Sequence, residues 1–227
     1  MSEPARATSD GDNVLHLPLP APRVVVVGRS HPDRHEIEAF ASARFAAAYD
    51  ARVTADHPMI AALRAPDGTL LASAGLRLAE TGPLFLERYL DAAVEHEVER
   101  GLGVVAPRES IVEIGAFAST HPAWSLQLFE ALPPWLAGVA GRRFAVATLR
   151  PELARALGRA GFGLRRLADA DPERLGAEAA AWGSYYAGAP KVYAGRVTAG
   201  AALAGLRDRL RTKAMERQAR RRTRACA

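Results

Sequence analysis

The sequence predicts an α/β fold (α+β in its ordering), with a mixed, mostly antiparallel sheet and helices on both faces. Three observations point there. Val24–Val27 and Ile111–Ala118 are short runs rich in β-branched and apolar residues, the pattern of buried strands. Asp67-Gly68 separates two further apolar runs, which marks a hairpin and so an antiparallel pair. Helical spacing appears between some strands but not all, so the strict strand–helix alternation of a doubly wound dinucleotide fold is absent.

The elements follow in order. Residues 1–22 combine small polar residues with LPLPAP and are expected to be a disordered leader. After Val24–Val27, the apolar positions Ile37, Phe40, Ala41, Phe45 and Ala48 predict an amphipathic helix over Asp33–Tyr49. Met59–Arg64 and Thr69–Leu78 are the hairpin strands. Leu84–Arg100 is expected to be helical or looped, with dense charge. Ile111–Ala118 is the next strand. A helix over Trp124–Val139 should be broken or kinked at Pro133-Pro134. Phe144–Leu149 is a strand, Pro151–Ala160 a helix opened by proline, and Phe162–Leu167 and Lys191–Val197 the last strands. Thr198 can cap a final helix carrying Leu203, Leu206 and Leu210 on one face.

With 227 residues the chain can build one substantial core, expected over residues 23–200. The net charge of +5 is concentrated at one end. Nine of the 30 basic residues lie between Arg207 and Arg224 with only two of the 25 acids, so the remaining body is slightly acidic. Residues 201–227 thus read as a basic C-terminal helix or tail. A weak contact with an anionic lipid or nucleic-acid surface through residues 207–224 competes with a plain solvated helix end. The single cysteine, Cys226, excludes an internal disulfide framework. No apolar run is long enough for a transmembrane segment, and the N-terminus lacks the layout of a secretory signal, so a cytoplasmic location is expected.

Familiar catalytic motifs fail on context. Gly101-Leu-Gly103-Val-Val-Ala106 follows a charged stretch rather than a strand, and Pro107 stands where a helix should begin. His96-Glu97 starts a zinc motif that Arg100 breaks, and His31 with His35 lacks a third ligand, so no metal site is expected. No P-loop and no GxSxG occurs.

Glu113 is the most informative residue. Strict alternation places it on one face of its strand with Ile111, Gly115 and Phe117. A carboxylate in that setting is costly unless paired or protonated. Two readings remain open: a buried ion pair with Arg88 or Arg77, or a catalytic group acting as general base or amine anchor. Gly115 suggests a bulge or a close approach to the strand. Glu87, Arg88 and Asp91 beside Phe85 and Tyr89 form either a solvated helix face or a substrate-recognition segment. Trp182, Tyr185 and Tyr186 either roof the core or line a ligand cleft.

Taken together, LFLERYLD at Leu84–Asp91, IVEIGAFA at Ile111–Ala118, LARALGRAGF at Leu153–Phe162, LADAD at Leu167–Asp171, Trp182–Tyr186 and PKVYAG at Pro190–Gly195 resemble, in order, the motifs of the thermostable haemolysin family. The likeness covers about Arg34 to Arg196. It implies a GNAT-like acyltransferase fold, and it is distantly similar to the acyl-homoserine lactone synthases. An N-acyltransferase is then expected, moving an acyl group from an acyl-CoA or acyl-carrier-protein thioester, with no permanently bound cofactor, to a small-molecule amine. An acyl carrier protein is the implied partner. Glu113 would be the catalytic carboxylate. Arg44, Phe45, Glu87, Arg88, Tyr89, Phe117 and Tyr185 would contact substrate, and Ala118 and Ser119 the cosubstrate. The chain departs from the family at Ala116, where an Asn is usual. It also departs from the GNAT pattern at Ser119–Leu128, which lacks a Gly-rich basic loop for a pyrophosphate. A carrier-bound thioester, another ligand, or lost catalysis all fit those departures. The alternatives are a membrane-active protein without enzymatic activity, as the family's name implies, or a non-catalytic binding protein with a basic tail.

Overall fold

The computed structural model describes residues 21–53 and 56–197. The expected leader up to residue 20, the final helix and the basic tail lie outside the described residues. The strands are β1 (Arg23–Val27), β2 (Met59–Arg64), β3 (Leu70–Leu78), β4 (Ile111–Ser119), β5 (Phe144–Leu149), β6 (Arg165–Asp169) and β7 (Lys191–Arg196). The helices are α1 (Arg34–Tyr49), α2 (Val94–Leu102), α3 (Pro122–Gly138) and α4 (Pro151–Arg159).

All seven strands form one sheet in the order β1-β2-β3-β4-β5-β7-β6. Five of the six neighbouring pairs are antiparallel, and only β4 with β5 is parallel. The mixed, mostly antiparallel sheet expected from the sequence is therefore present.

Alternation along each strand sends side chains to two cores. Ala61, Leu63, Leu76, Val112 and Ile114 pack against Leu128, Leu132 and Leu136 of α3. Phe129 joins Ala154 and Leu157 of α4 over Ala147 and Leu149 on the same side. On the opposite face, Ile37 of α1 meets Val27, Ile60 and Ala62. There Val94 and Val98 of α2 meet Ile111, Phe144 and Val192. Each fully buried Leu or Ile contributes about 1.5–3 kcal/mol. Leu132→Ala would therefore strip α3 of one of its main anchors.

The sequence and the structure differ in two elements. Pro133 and Pro134 lie inside α3, and the helix runs through them rather than breaking. Pro133 is buried against the core with Leu132 and Leu136, and that packing outweighs the lost helical hydrogen bonds. β6 begins at Arg165, not Phe162, because Gly161 at φ 95 and a tight turn from Phe162 to Leu164 delay the chain's entry into the sheet. The charged stretch after Leu84 resolves into a 3-10 turn over Phe85–Tyr89, followed by α2.

Candidate functional site

β4 positions the site by leaving its partner. Its parallel ladder with β5 holds only three pairs, ending at Glu113 opposite Val146, although both strands continue. On its other side β4 carries one residue more than β3 between Gly115 and Ala118. That bulge bends the strand, and Ala116 sits in it at φ 47, the left-handed region. The glycine at 115 thus accompanies the bulge that the sequence suggested. The bulge also corrects the expected facing of Phe117. The extra residue turns its ring to α3, where it stacks on Phe129 at 4.6 Å instead of sharing the face of Glu113.

Glu113 lies in the wall between sheet and 3-10 turn, 4% exposed. Its Oε2 accepts the backbone N–H of Phe85 and its Oε1 that of Leu86, each at 2.9 Å. These are the donors that the first residues of a helical turn leave without an internal partner. Burial pushes the carboxyl above its ordinary range, against the downward pull of those two hydrogen bonds and of Arg77. The ion pair expected with Arg88 is replaced by this backbone cradle. Arg88 turns to Glu178 at 2.6 Å and lies over the Phe85 ring. Arg77 donates to the carbonyl of Asp56 at 2.7 Å.

The 3-10 turn is itself locked from below. Glu87 accepts the N–H groups of Leu84 (2.8 Å) and Val94 (3.1 Å). It also takes two bonds from the Arg108 guanidinium, at 2.7 and 2.8 Å. Arg108 adds Glu95 and the carbonyls of Ala79 and Gly82. The guanidinium holds the Glu87 carboxyl at about 2. A forked, charge-assisted pair of this kind is geometrically strict, so it fixes where Phe85 and Leu86 present their N–H groups.

Where β4 and β5 diverge, a cavity of about 520 Å³ opens, bounded by α1, the sheet and the 3-10 segments. Its walls include Phe45, Tyr49, Phe85, Tyr89, Trp182 and Tyr185, with Glu113, Gly115, Ala116 and Phe117 along β4. The aromatic rings brace one another: Phe45 and Trp182 at 6.1 Å, Tyr49 and Tyr185 at 5.3 Å, Phe85 and Trp182 at 5.5 Å. The hydroxyls of Tyr89 and Tyr186 are hydrogen-bonded to each other. Burial pushes both Tyr89 and Tyr185 above the ordinary phenol range, so they stay neutral.

The structure thus brings Glu113, Phe45, Tyr89, Phe117 and Tyr185 to one cavity. It leaves Arg44 exposed on α1. Glu87 and Arg88 stand behind the wall in their ion pairs. Ala118 and Ser119 lie past the bulge, with the Ser119 hydroxyl bonded to Ser125 at 2.8 Å. Sequence reasoning missed Tyr49, Asp56, His57, Thr148 and Arg150, all of which line the cavity. The available signal was Gly75, which pairs with Gly115 across β3–β4: two facing glycines leave room for a side chain from elsewhere. The ring of His57 fills that room, for a Cβ on Gly75 would stand 2.2 Å from its Cγ and one on Gly115 2.9 Å from its Nε2. Among the described residues no group of three or more His, Cys, Asp or Glu side chains is placed to hold a metal ion. No described helix is long and apolar enough to cross a membrane.

Residues 27–201 match the family described as Thermostable hemolysin. No curated protein matches the sequence. Three solved structures show the same fold. The chain is similar to BjaI, a CoA-dependent acyl-homoserine lactone synthase, with TM-score 0.56 and 15% identity over 83% of this chain and 89% of that one. It is similar to TofI in an apo form, with TM-score 0.52 and 19% identity over 81% and 95%. It is similar to the AHL synthase LasI, with TM-score 0.51 and 14% identity over 79% and 93%. The expected GNAT-like layout is the one these structures share.

Proposed function

The chain belongs to the thermostable hemolysin family, and on that premise we propose that it is an N-acyltransferase, moving an acyl group from a thioester to a small amine held in the aromatic cavity. The observation that carries this reading is the cavity's position, at the point where β4 leaves β5 with Glu113 in its wall. Aromatic walls suit an acyl group and the apolar part of an acceptor. The carboxylate of Glu113 is the anchor for the amine. Its two backbone bonds occupy one lone-pair direction on each oxygen and leave acceptor capacity toward a ligand. The backbone of Gly115–Ala118, which has no β5 ladder, supplies N–H groups to the carbonyl oxygen as it becomes an oxyanion. BjaI is described as CoA-dependent and is known with SAM and isopentyl-CoA bound, which supports a CoA-linked cosubstrate for this fold. The donor here is an acyl-CoA or an acyl-carrier-protein thioester, and the protein acts in the cytoplasm.

The test is direct. Purified protein is mixed with butanoyl-, octanoyl- and dodecanoyl-CoA, or with the same acyl groups on acyl carrier protein, and with the proteinogenic amino acids as amines. Thiol release and amide formation are read together by mass spectrometry. Formation of an N-acyl product at one thiol per amide supports the reading. Thiol release without amide, or neither, overturns it.

A further inference from the structure

Acyl transfer to an amine needs a group that takes a proton from nitrogen as the C–N bond forms. Glu113 is fixed in the wall by its two backbone bonds, and the acceptor capacity it keeps is assigned above to anchoring the amine. Another titratable side chain lining the same cavity is His57. His57 projects over Gly75 and Gly115, where any larger residue would collide with its ring. The contacts orient the ring. Cγ and Nδ1 are the atoms nearest Gly75, and Nε2 is the atom nearest Gly115. Nε2 therefore lies toward the last residue before the bulge, and His57 lines the cavity.

The loop that carries His57 is anchored. Arg34, 6% exposed, donates to the carbonyl of His57 at 2.5 Å and to that of Pro58 at 3.5 Å, and is itself paired with Glu38 at 2.7 Å. A buried arginine spent on two carbonyls of one loop is an expensive way to hold a chain that only has to turn. It is a reasonable way to hold a ring in register with a reacting atom.

Resting on the acyltransferase reading, we infer that His57 is the proton acceptor and donor of the reaction, and that Glu113 anchors the amine. The neutral amine attacks the thioester carbonyl carbon, forming the C–N bond. Nε2 of His57 takes one proton from the nitrogen. The tetrahedral adduct collapses, the C–S bond breaks, and the imidazolium returns that proton to the departing thiolate. Amide and thiol are the products, and His57 ends as it began. The charged groups around it are Arg34 behind the loop, Asp56 before it, Arg77 on β3 and Glu113 on β4.

The experiment compares wild type, His57→Gln, Glu113→Gln and Gly75→Ala with octanoyl-CoA and the amine that gives most product in the mixture above. Melting temperatures confirm that each variant is folded. Loss of about 10²–10⁴-fold in kcat for His57→Gln supports the inference when the KM for octanoyl-CoA is unchanged and the acidic limb of the rate profile is gone. Gly75→Ala should reproduce the loss, because it evicts the ring while every polar atom of the site remains. A His57→Gln enzyme within about threefold of wild type, or a loss carried by KM alone, overturns the role of His57. The same result beside an inactive Glu113→Gln leaves the acyltransferase reading standing. Wild type that forms no amide from any thioester overturns both.

Discussion

Glu113 and Phe85 are joined by a 2.9 Å hydrogen bond from the backbone N–H of Phe85 to the buried carboxylate, which welds the 3-10 turn to the central strand. Leu86 makes the matching bond to the other oxygen. Replacing Glu113 by Gln turns one acceptor into a donor that faces one of these N–H groups. We expect a loss of roughly 1–3 kcal/mol of stability from the donor left without a partner. Chemical denaturation of the purified variant measures it, and an unchanged midpoint would contradict the geometry.

The two glutamates of this region titrate in opposite directions. Glu87, held down by Arg108, contributes stability that is present above about 4.5 and is lost as pH falls toward about 2. Glu113, pushed up by burial, favours the fold when protonated, and that contribution is lost as pH rises through its folded value. A carbon-13 titration of the glutamate carboxyls should place Glu87 near 2 and Glu113 above 4.5. The reverse order would refute the assignment of Arg108 as the holding partner.

Ala116 carries φ 47 in the bulge, a conformation that costs an ordinary L-residue about 1–2 kcal/mol. Asn and Gly adopt it with less strain. Ala116→Gly should therefore raise stability by about 1 kcal/mol, or about 2–4 °C in melting temperature for a chain of this size. A fall in melting temperature would show that the bulge is not strained.

Under the acyltransferase reading, the membrane lysis that the family's name suggests follows from a surface-active acylated product. Dye-loaded vesicles of anionic and neutral lipid should stay intact with protein alone and leak only when thioester and amine are added. Leakage from protein alone would favour direct membrane action.

Much of the architecture was legible because periodicity reports burial. The valine run of β1, the hairpin at Asp67-Gly68 and the spacing of Ile37, Ala41 and Phe45 on α1 each state which face turns inward. Glu113 stood out for the same reason, as a charge within an apolar strand. Its partner did not, because sequence gives no hint that a charge will be satisfied by backbone N–H groups 28 and 27 residues away rather than by an arginine. Phe117 was misplaced because a bulge resets the alternation, and nothing but Gly115 announces it. His57 was missed because its role depends on what is absent opposite it, the side chains of Gly75 and Gly115.

In the proposed reaction this cavity acylates an amine with the help of Glu113. The most direct measurement is mass spectrometry of lipids and small metabolites from cells expressing wild type or Glu113→Gln at equal protein levels. An N-acylated small amine should accumulate with wild type and be lost with Glu113→Gln. Identical profiles from the two strains would contradict it.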